Sequence, residues 1–352
     1  MIAKASLNFS TGPVGIAPRI KQVFKKEGIS HRSEAFQRLL TQAQNALCAG
    51  TKAPFVHILT GSGTLANDVM VGQLKVSREK GLILSNGDFG KRLMSQCKRQ
   101  GVPYYNYSVD YCVPFDLAAV EAMLQAHPDI KWLLFAHCET SVGFLNPLKA
   151  LCALAKKYNV RANVDLMSSI GCVELDLSDV SLATASSGKG LASIAGLALL
   201  FSNQKWTAAP DLPSYLDLGV YFDKAGVPYT LSPHLLEALA VQLDIVMSPE
   251  HWARTQAWSV YLSEKLQKLD WIRLVHAEST HVFTLFLSNQ LDSPNSAAQL
   301  GEFLQTRGIE VSFQSDALRQ ANYLQITLMC EHTQKDLDFL IKSMKQYHLN
   351  QK

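Results

Sequence analysis

Short runs of branched and apolar residues alternate along this chain with stretches of helical periodicity, and that alternation restricts the fold more than any other feature. FVHIL (55–59) precedes LANDVMVGQLKV, in which Leu65, Val69, Gly72 and Val76 fall on one helical face. LILS (82–85) precedes a helical stretch over 89–100. KWLLFA (131–136) precedes a helix carrying Leu148, Leu151 and Leu154, with Asn146 as its N-cap and Pro147 at its first position. RANVD (161–165), SLATAS (181–186) and LALLF (197–201) follow. The pattern predicts an α/β fold with a largely parallel sheet covered by helices. From about residue 250 the order changes to a long helix over 250–269, THVFTLFL, a helix over 296–307, IEVSF, YLQITLM and a closing helix over 335–347. We therefore expect a large domain over 1–250, whose N-terminal segment joins the site and the smaller domain, and a small α+β domain over 251–352.

With 352 residues, 47% hydrophobic and 18% charged, the chain is long enough for a large core. Its net charge of +3 is nearly balanced, and the pairs Lys25–Lys26 and Lys156–Lys157 read as solvated helix ends, so no nucleic-acid partner is expected. MIAKASLNFSTGPVG has no apolar core long enough for a signal peptide and no segment approaches a membrane span, so no membrane partner is expected either. The seven cysteines include no CxxC pair, which indicates neither a disulfide framework nor a metal site and fits a cytoplasmic protein.

In an open α/β sheet the ligand sits beyond the carboxyl ends of the strands, and three segments are expected there. TGSGT (60–64) lies between a strand and a helix. Its glycines admit a close backbone approach, and Ser62, Gly63 and Thr64 present N–H groups and hydroxyls that suit a phosphate; alone, such a stretch is equally a turn. Asp165 closes an apolar strand, where a carboxylate needs a cation or a donor. Lys189 sits between two glycines after a buried strand. A GxxxxGK[ST] phosphate loop is ruled out, because Ala183 and Gly190 stand where that pattern needs glycine and a hydroxyl residue. The flanking strands are too apolar for a solvent-facing hairpin, which leaves a desolvated lysine whose lowered amine pKa suits attack on a carbonyl. A phosphate cradle, a buried carboxylate and a buried lysine together fit pyridoxal 5'-phosphate.

The ordered strings STGPVGIAP (10–18), HRS (31–33), GSGTLAND (61–68), NGDFGKR (86–92), HCETSVGFLNPL (137–148), VDLMSSIG (164–171), SSGKG (186–190), YTLSPH (229–234) and LQITLMCEHT (324–333) resemble the class V branch of fold-type I pyridoxal-phosphate enzymes. Alanine–glyoxylate, serine–pyruvate and 2-aminoethylphosphonate–pyruvate aminotransferases are the most similar members. The resemblance implies that Lys189 carries the cofactor and shuttles the substrate proton, and that Asp165 contacts the pyridine nitrogen. It implies that Ser62, Gly63 and Thr64 hold the phosphate, Phe89 stacks on the ring and Thr140 reaches the ring oxygen. Tyr229 and Thr230 match the segment that reaches the neighbouring subunit's phosphate, implying a homodimer with shared sites. Gly12, Gln325 and Arg319 are the residues expected near the substrate.

Two departures from the family pattern bear on the substrate. Gly188 precedes the lysine where relatives carry Asn or Gln, so either Ser187 or a water supplies the missing contact or the phosphate is held more loosely. Gln325 stands where the family's arginine grips an anion, a loss of roughly 2–5 kcal/mol if nothing replaces it. Arg319 is a candidate replacement, Arg32 a weaker one, and His137 is expected to be structural. The activity implied is transfer of an amino group from a small amine, amino acid or aminophosphonate-like donor to a keto acid such as pyruvate or glyoxylate. A lyase or replacement reaction on an unusual amine, and a cofactor-binding protein without a working substrate site, are the alternatives.

Overall fold

The computed structural model describes residues 7–276, 281–287 and 296–351. Thr280 of THVFTLFL and the first six residues of the N-terminal stretch weighed as a leader lie outside the described residues.

Seven strands form the main sheet: β1 (Phe55–Thr60), β2 (Lys80–Ser85), β3 (Tyr104–Ser108), β4 (Ile130–Ala136), β5 (Arg161–Asp165), β6 (Val180–Ser186) and β7 (Leu197–Ser202). Their spatial order is β1-β7-β6-β5-β4-β2-β3. The pairs from β6 across to β3 are parallel, whereas β7 runs antiparallel to both β6 and β1. Continuous apolar runs mark β4, β6 and β7 because helices cover both faces and leave their residues buried. β3, reading YYNYS, has no apolar run and is half-exposed at the edge, so periodicity does not reveal it.

The structure corrects two local expectations. In the helix Gly63–Ser77, Val69 and Gly72 are buried, but Val76 is exposed and the inward face instead includes the polar Asn67 and Gln73. Both are satisfied internally; the Gln73 amide, for example, donates to the Leu216 carbonyl at 2.7 Å. The helix after β4 runs Leu148–Lys157 with Pro147, not Asn146, at its N-cap. Asn146 is buried and donates to the Ala136 carbonyl at 2.8 Å, while its own oxygen accepts from Asn86 at 2.9 Å.

Beyond the long helix Pro249–Gln267, β8 (Ile272–Leu274), β9 (Val282–Leu287) and β10 (Tyr323–Thr327) form an antiparallel sheet in that order. The helices Ser296–Thr306 and Gln334–Gln351 accompany it, and Leu262, Phe283, Leu300, Leu324 and Leu340 share its apolar cluster with Phe9. Phe9 belongs there because the N-terminal segment is stitched to this part of the chain. Leu7 and Asn8 pair in parallel with Ile309 and Glu310, and the Thr327 N–H donates to the Phe9 carbonyl at 2.8 Å. The next residues, Ser10 to Pro13, are thereby carried across the mouth of the main sheet.

Several histidines are held neutral inside this fold. Burial pushes His57, His251, His281 and His332 down to about 4 and His137 down to about 3. The unfolded chain binds protons at these positions from about pH 6.5 downward, whereas the folded chain does not until about pH 4. Their contribution to stability is therefore complete above about 6.5 and lost progressively toward 4. Urea denaturation should show a loss of several kcal/mol between pH 7 and pH 5; an unfolding free energy that stays flat over that interval would contradict this assignment.

Candidate active site

The carboxyl ends of β1, β4, β5 and β6 and the start of β7 meet at one edge of the sheet, and a cavity of about 460 Å³ opens there. One end of it is the start of the helix Gly63–Ser77. Ser33, Asp116, Ser232 and Ser248 each cap a helix of this chain through the side chain, as such residues usually do. Ser62 occupies the same position and makes no side-chain capping bond. Its hydroxyl and the N–H groups of Gly63 and Thr64 are left for a ligand, in a place where the helix dipole favours negative charge. At Gly63 a Cβ would lie 2.3 Å from the sulfur of Met167, which lines the same cavity, so a larger residue would displace that side chain.

Asp165, at the end of β5, is buried in the wall of this cavity. One of its oxygens accepts from the Met167 N–H at 2.8 Å and the other from the Asn67 amide at 2.8 Å. Asn67 is held in turn by the Thr184 hydroxyl at 2.5 Å. Burial raises the Asp165 carboxyl, opposed by these two donors and by the positive charges of Lys189 and Arg92. A carboxylate out of water with neutral donors and no ion pair is suited to a cationic N–H such as a protonated pyridine.

Lys189 lies in the turn between the antiparallel strands β6 and β7, both of them apolar and buried. Its Nζ lies 3.3 Å from the Ser168 hydroxyl and 5.0 Å from the centre of the Phe89 ring. Burial lowers its pKa, partly offset by Asp165. Ser168 is also bonded to the Thr140 hydroxyl, so the ammonium, Ser168 and Thr140 form one chain. Lys189, Asp165, Ser62, Gly63, Thr64, Phe89 and Gly12 all line the cavity.

Lys189, Gly12, Pro13, Phe89 and Arg92 are shared with a second cavity of about 640 Å³, which extends to Ser312, Gln314 and Gln325. Thr140 lines this second one. The pair reads as a cofactor chamber and a substrate chamber with the lysine between them.

Not every residue singled out in the sequence faces these cavities. The Ser187 hydroxyl is committed to the hairpin, donating to the Ile194 carbonyl at 2.6 Å and accepting from the Leu197 N–H at 3.2 Å; Ser186 lines the cavity instead. Gly188 is a packing requirement as much as a lost contact, because a Cβ there would lie 2.7 Å from that of Ala195. Arg319 is not in a loop but in the short helix Asp316–Ala321; like Arg32 it is exposed and lines neither cavity. Tyr229 stacks on Tyr215 at 4.8 Å, and neither it nor Thr230 reaches the cavities of its own chain. His137 is buried against the Ser169 hydroxyl at 2.9 Å, away from both.

Sequence reasoning passed over Asn67, Met167, Ser168, Arg92 and Glu139. All lie inside quoted strings, but only the fold reveals which side chains turn inward. Glu139 is the least expected. It is fully buried, and burial raises its pKa. From the short hairpin after β4 it accepts from the N–H groups of Phe89, Gly90 and Ser141 and from the Ser141 hydroxyl. It thus caps the helix Asp88–Gln100 and fixes Phe89 over Lys189.

Residues 26–340 match the aminotransferase class-V family. Among curated relatives, the 2-aminoethylphosphonate–pyruvate transaminase of Pseudomonas putida (strain GB-1) is 30% identical over 215 residues, spanning 60% of this chain but only 58% of that enzyme's length. The corresponding transaminase of Pseudomonas fluorescens (strain Pf0-1) is 30% identical over 251 residues, 68% of each chain. Of the solved structures, the ureidoglycine–glyoxylate aminotransferase of Bacillus subtilis superposes with a TM-score of 0.88 at 18% identity, over 100% of this chain and 95% of that one. At that identity the likeness establishes the fold alone, which is that of the fold-type I enzymes.

Replacing Glu139 with alanine leaves several buried donors unmet. Glu139→Ala should cost about 2–3 kcal/mol in urea denaturation, while Ser141→Ala, which removes one of the bonds, costs under about 1 kcal/mol. Equal losses in the two variants would mean that Glu139 does not act as the cap.

Proposed function

The chain belongs to the class-V aminotransferase family, and from that premise we propose that it is a pyridoxal-phosphate-dependent aminotransferase transferring the amino group of a small amine or amino acid to a keto acid such as pyruvate or glyoxylate. The observation that carries the reading is that a half-buried lysine, a buried carboxylate and an uncapped helix start face one cavity. When bound, the cofactor supplies an aldehyde for the amino group and a ring that withdraws electrons from the bond being broken.

The residues fit that group. Ser62, Gly63 and Thr64 would hold its phosphate, Asp165 would keep its pyridine nitrogen protonated, and Phe89 and Met167 supply apolar walls for the ring. Asn67 and the Met167 N–H keep the Asp165 carboxylate oriented and charged. Lys189 is the covalent attachment point and the acid–base group. Its lowered pKa lets the amine give up a proton more readily than a solvated lysine does, and Ser168 and Thr140 fix where Nζ rests between transfers. The N-terminal segment, with Gly12 and Pro13 against Lys189, helps exclude water from that transfer.

The reading includes a homodimer with shared sites: Thr230 is exposed beside Thr60 at the end of β1, and neither it nor Tyr229 lines the cavities of its own chain. Among the described residues no helix is long and apolar enough to cross a membrane, and no group of His, Cys, Asp or Glu is placed to hold a metal ion. All seven cysteines are free, which supports a reducing, cytoplasmic setting.

Adding pyridoxal phosphate to the purified protein should give a visible band that borohydride fixes to the peptide containing Lys189. An amine donor should bleach the unreduced band and a keto acid should restore it. Lys189→Ala should lose the fixation and lower turnover by roughly 10²–10⁴-fold. Release of a keto product without any need for a keto-acid partner would point to a lyase and overturn the aminotransferase reading.

A further inference from the structure

We infer that the substrate chamber selects a donor with one carboxylate, held by Arg92, and an uncharged hydrogen-bonding group at its remote end. The inference deepens the aminotransferase reading and rests on it for the reaction, but the ligand preference can be measured separately.

The cations decide where an anion can sit. Among the described residues lining the two cavities, only Arg92 and Lys189 are cationic. Lys189 belongs to the cofactor, and burial weakens its charge. Arg92 enters none of the ion pairs among the described residues. Its guanidinium lies 4.8 Å from the centre of the Phe89 ring, at the boundary of both chambers, and close enough to Asp165 and Lys189 to influence the charge of each. A planar cation with unspent N–H groups, beside the lysine, suits a carboxylate on the reacting end of a substrate.

The wall formed by Glu310, Ser312, Gln314 and Gln325 holds no cation, and Asp88 adds a second carboxylate to the same chamber. Gln325 is buried, and its amide nitrogen donates to the Thr140 carbonyl at 2.6 Å and to the Thr284 hydroxyl at 2.9 Å. A carbonyl only accepts, so the orientation of this amide is dictated by its partner, and both of its N–H bonds are spent. What Gln325 has left to offer is an acceptor oxygen, and Glu310 adds a carboxylate. A second anion at this wall would meet a negative charge and an acceptor with no cation to offset them, whereas an amide, ureido or hydroxyl group would find acceptors for its hydrogens.

Succinate and succinamate test this with one carbon skeleton, and neither carries an amino group that can react. In calorimetric titration of the cofactor-loaded protein, succinamate should bind roughly tenfold tighter or more, the scale of one buried polar group left unmet. Arg92→Gln should weaken both ligands by similar factors. Gln325→Arg should reverse the preference, and should that variant not fold, Glu310→Gln should narrow it by raising the affinity for succinate. Succinate binding as tightly as succinamate in the unaltered protein, or an Arg92→Gln variant that binds both unchanged, would overturn the inference. A succinamate preference in a protein whose cofactor no amine converts would leave this inference standing and sink the aminotransferase reading instead.

Discussion

Asp165 and Lys189 are taken out of water at the same edge of the sheet, and the rest of the site is organised around the cost of doing so. A charge held in a low-dielectric environment must be met by donors, by an opposite charge or by a shift toward its neutral form. Asp165 takes the first course through Asn67 and the Met167 N–H, and Lys189 takes the third. Neither is neutralised by a dedicated ion pair, so each retains a reactive potential that a paired residue would have lost. The price in folding stability is offset by the apolar strands on both sides, β4 to β7, whose side chains are almost all buried.

The same edge is held from two further directions. The hairpin after β4 turns Glu139 back under the helix Asp88–Gln100 and so fixes Phe89, while Thr140 of the same hairpin reaches both Ser168 and Gln325. The N-terminal segment is anchored to β10 and Ser312 and crosses the mouth at Gly12 and Pro13. Thr140 thereby connects the lysine's hydroxyl chain, through its side chain, to the substrate wall, through its carbonyl. Gln325 of β10 is thus joined to Ser168 through Thr140 by hydrogen bonds on both sides of that residue.

How far the sequence anticipated this depended on what each residue has to satisfy. The strands buried on both faces were legible as apolar runs, and Asp165 and Lys189 stood out because ionisable residues beside such runs are costly. β3 was not legible, since an edge strand reading YYNYS buries little. Asn67 and Gln73 broke the apolar stripe of their helix, and only their partners across the fold explain why polar side chains face inward. Arg319 attracted notice because a cation was wanted near Gln325, yet its helix turns it to solvent. Arg92 was passed over inside a charged stretch that reads as a solvated helix face; it is exposed like its neighbours Lys91 and Lys98, but it also lines both cavities.

Gly188 and Ser187 illustrate why departures from a family pattern need the packing before they can be interpreted. Taken alone, a glycine before the lysine looks like the loss of a polar contact. In the fold, the hairpin closes so that Ala195 occupies the space a side chain at 188 would need. Ser187 pins that closure through Ile194 and Leu197. This packing restricts where the Lys189 backbone can go. For a lysine that must return its Nζ to one place between proton transfers, restriction of the backbone serves the same end as a contact to the side chain. On this argument, restoring Asn at 188 without also changing Ala195 would force the hairpin apart and displace Lys189, so the two positions form one unit.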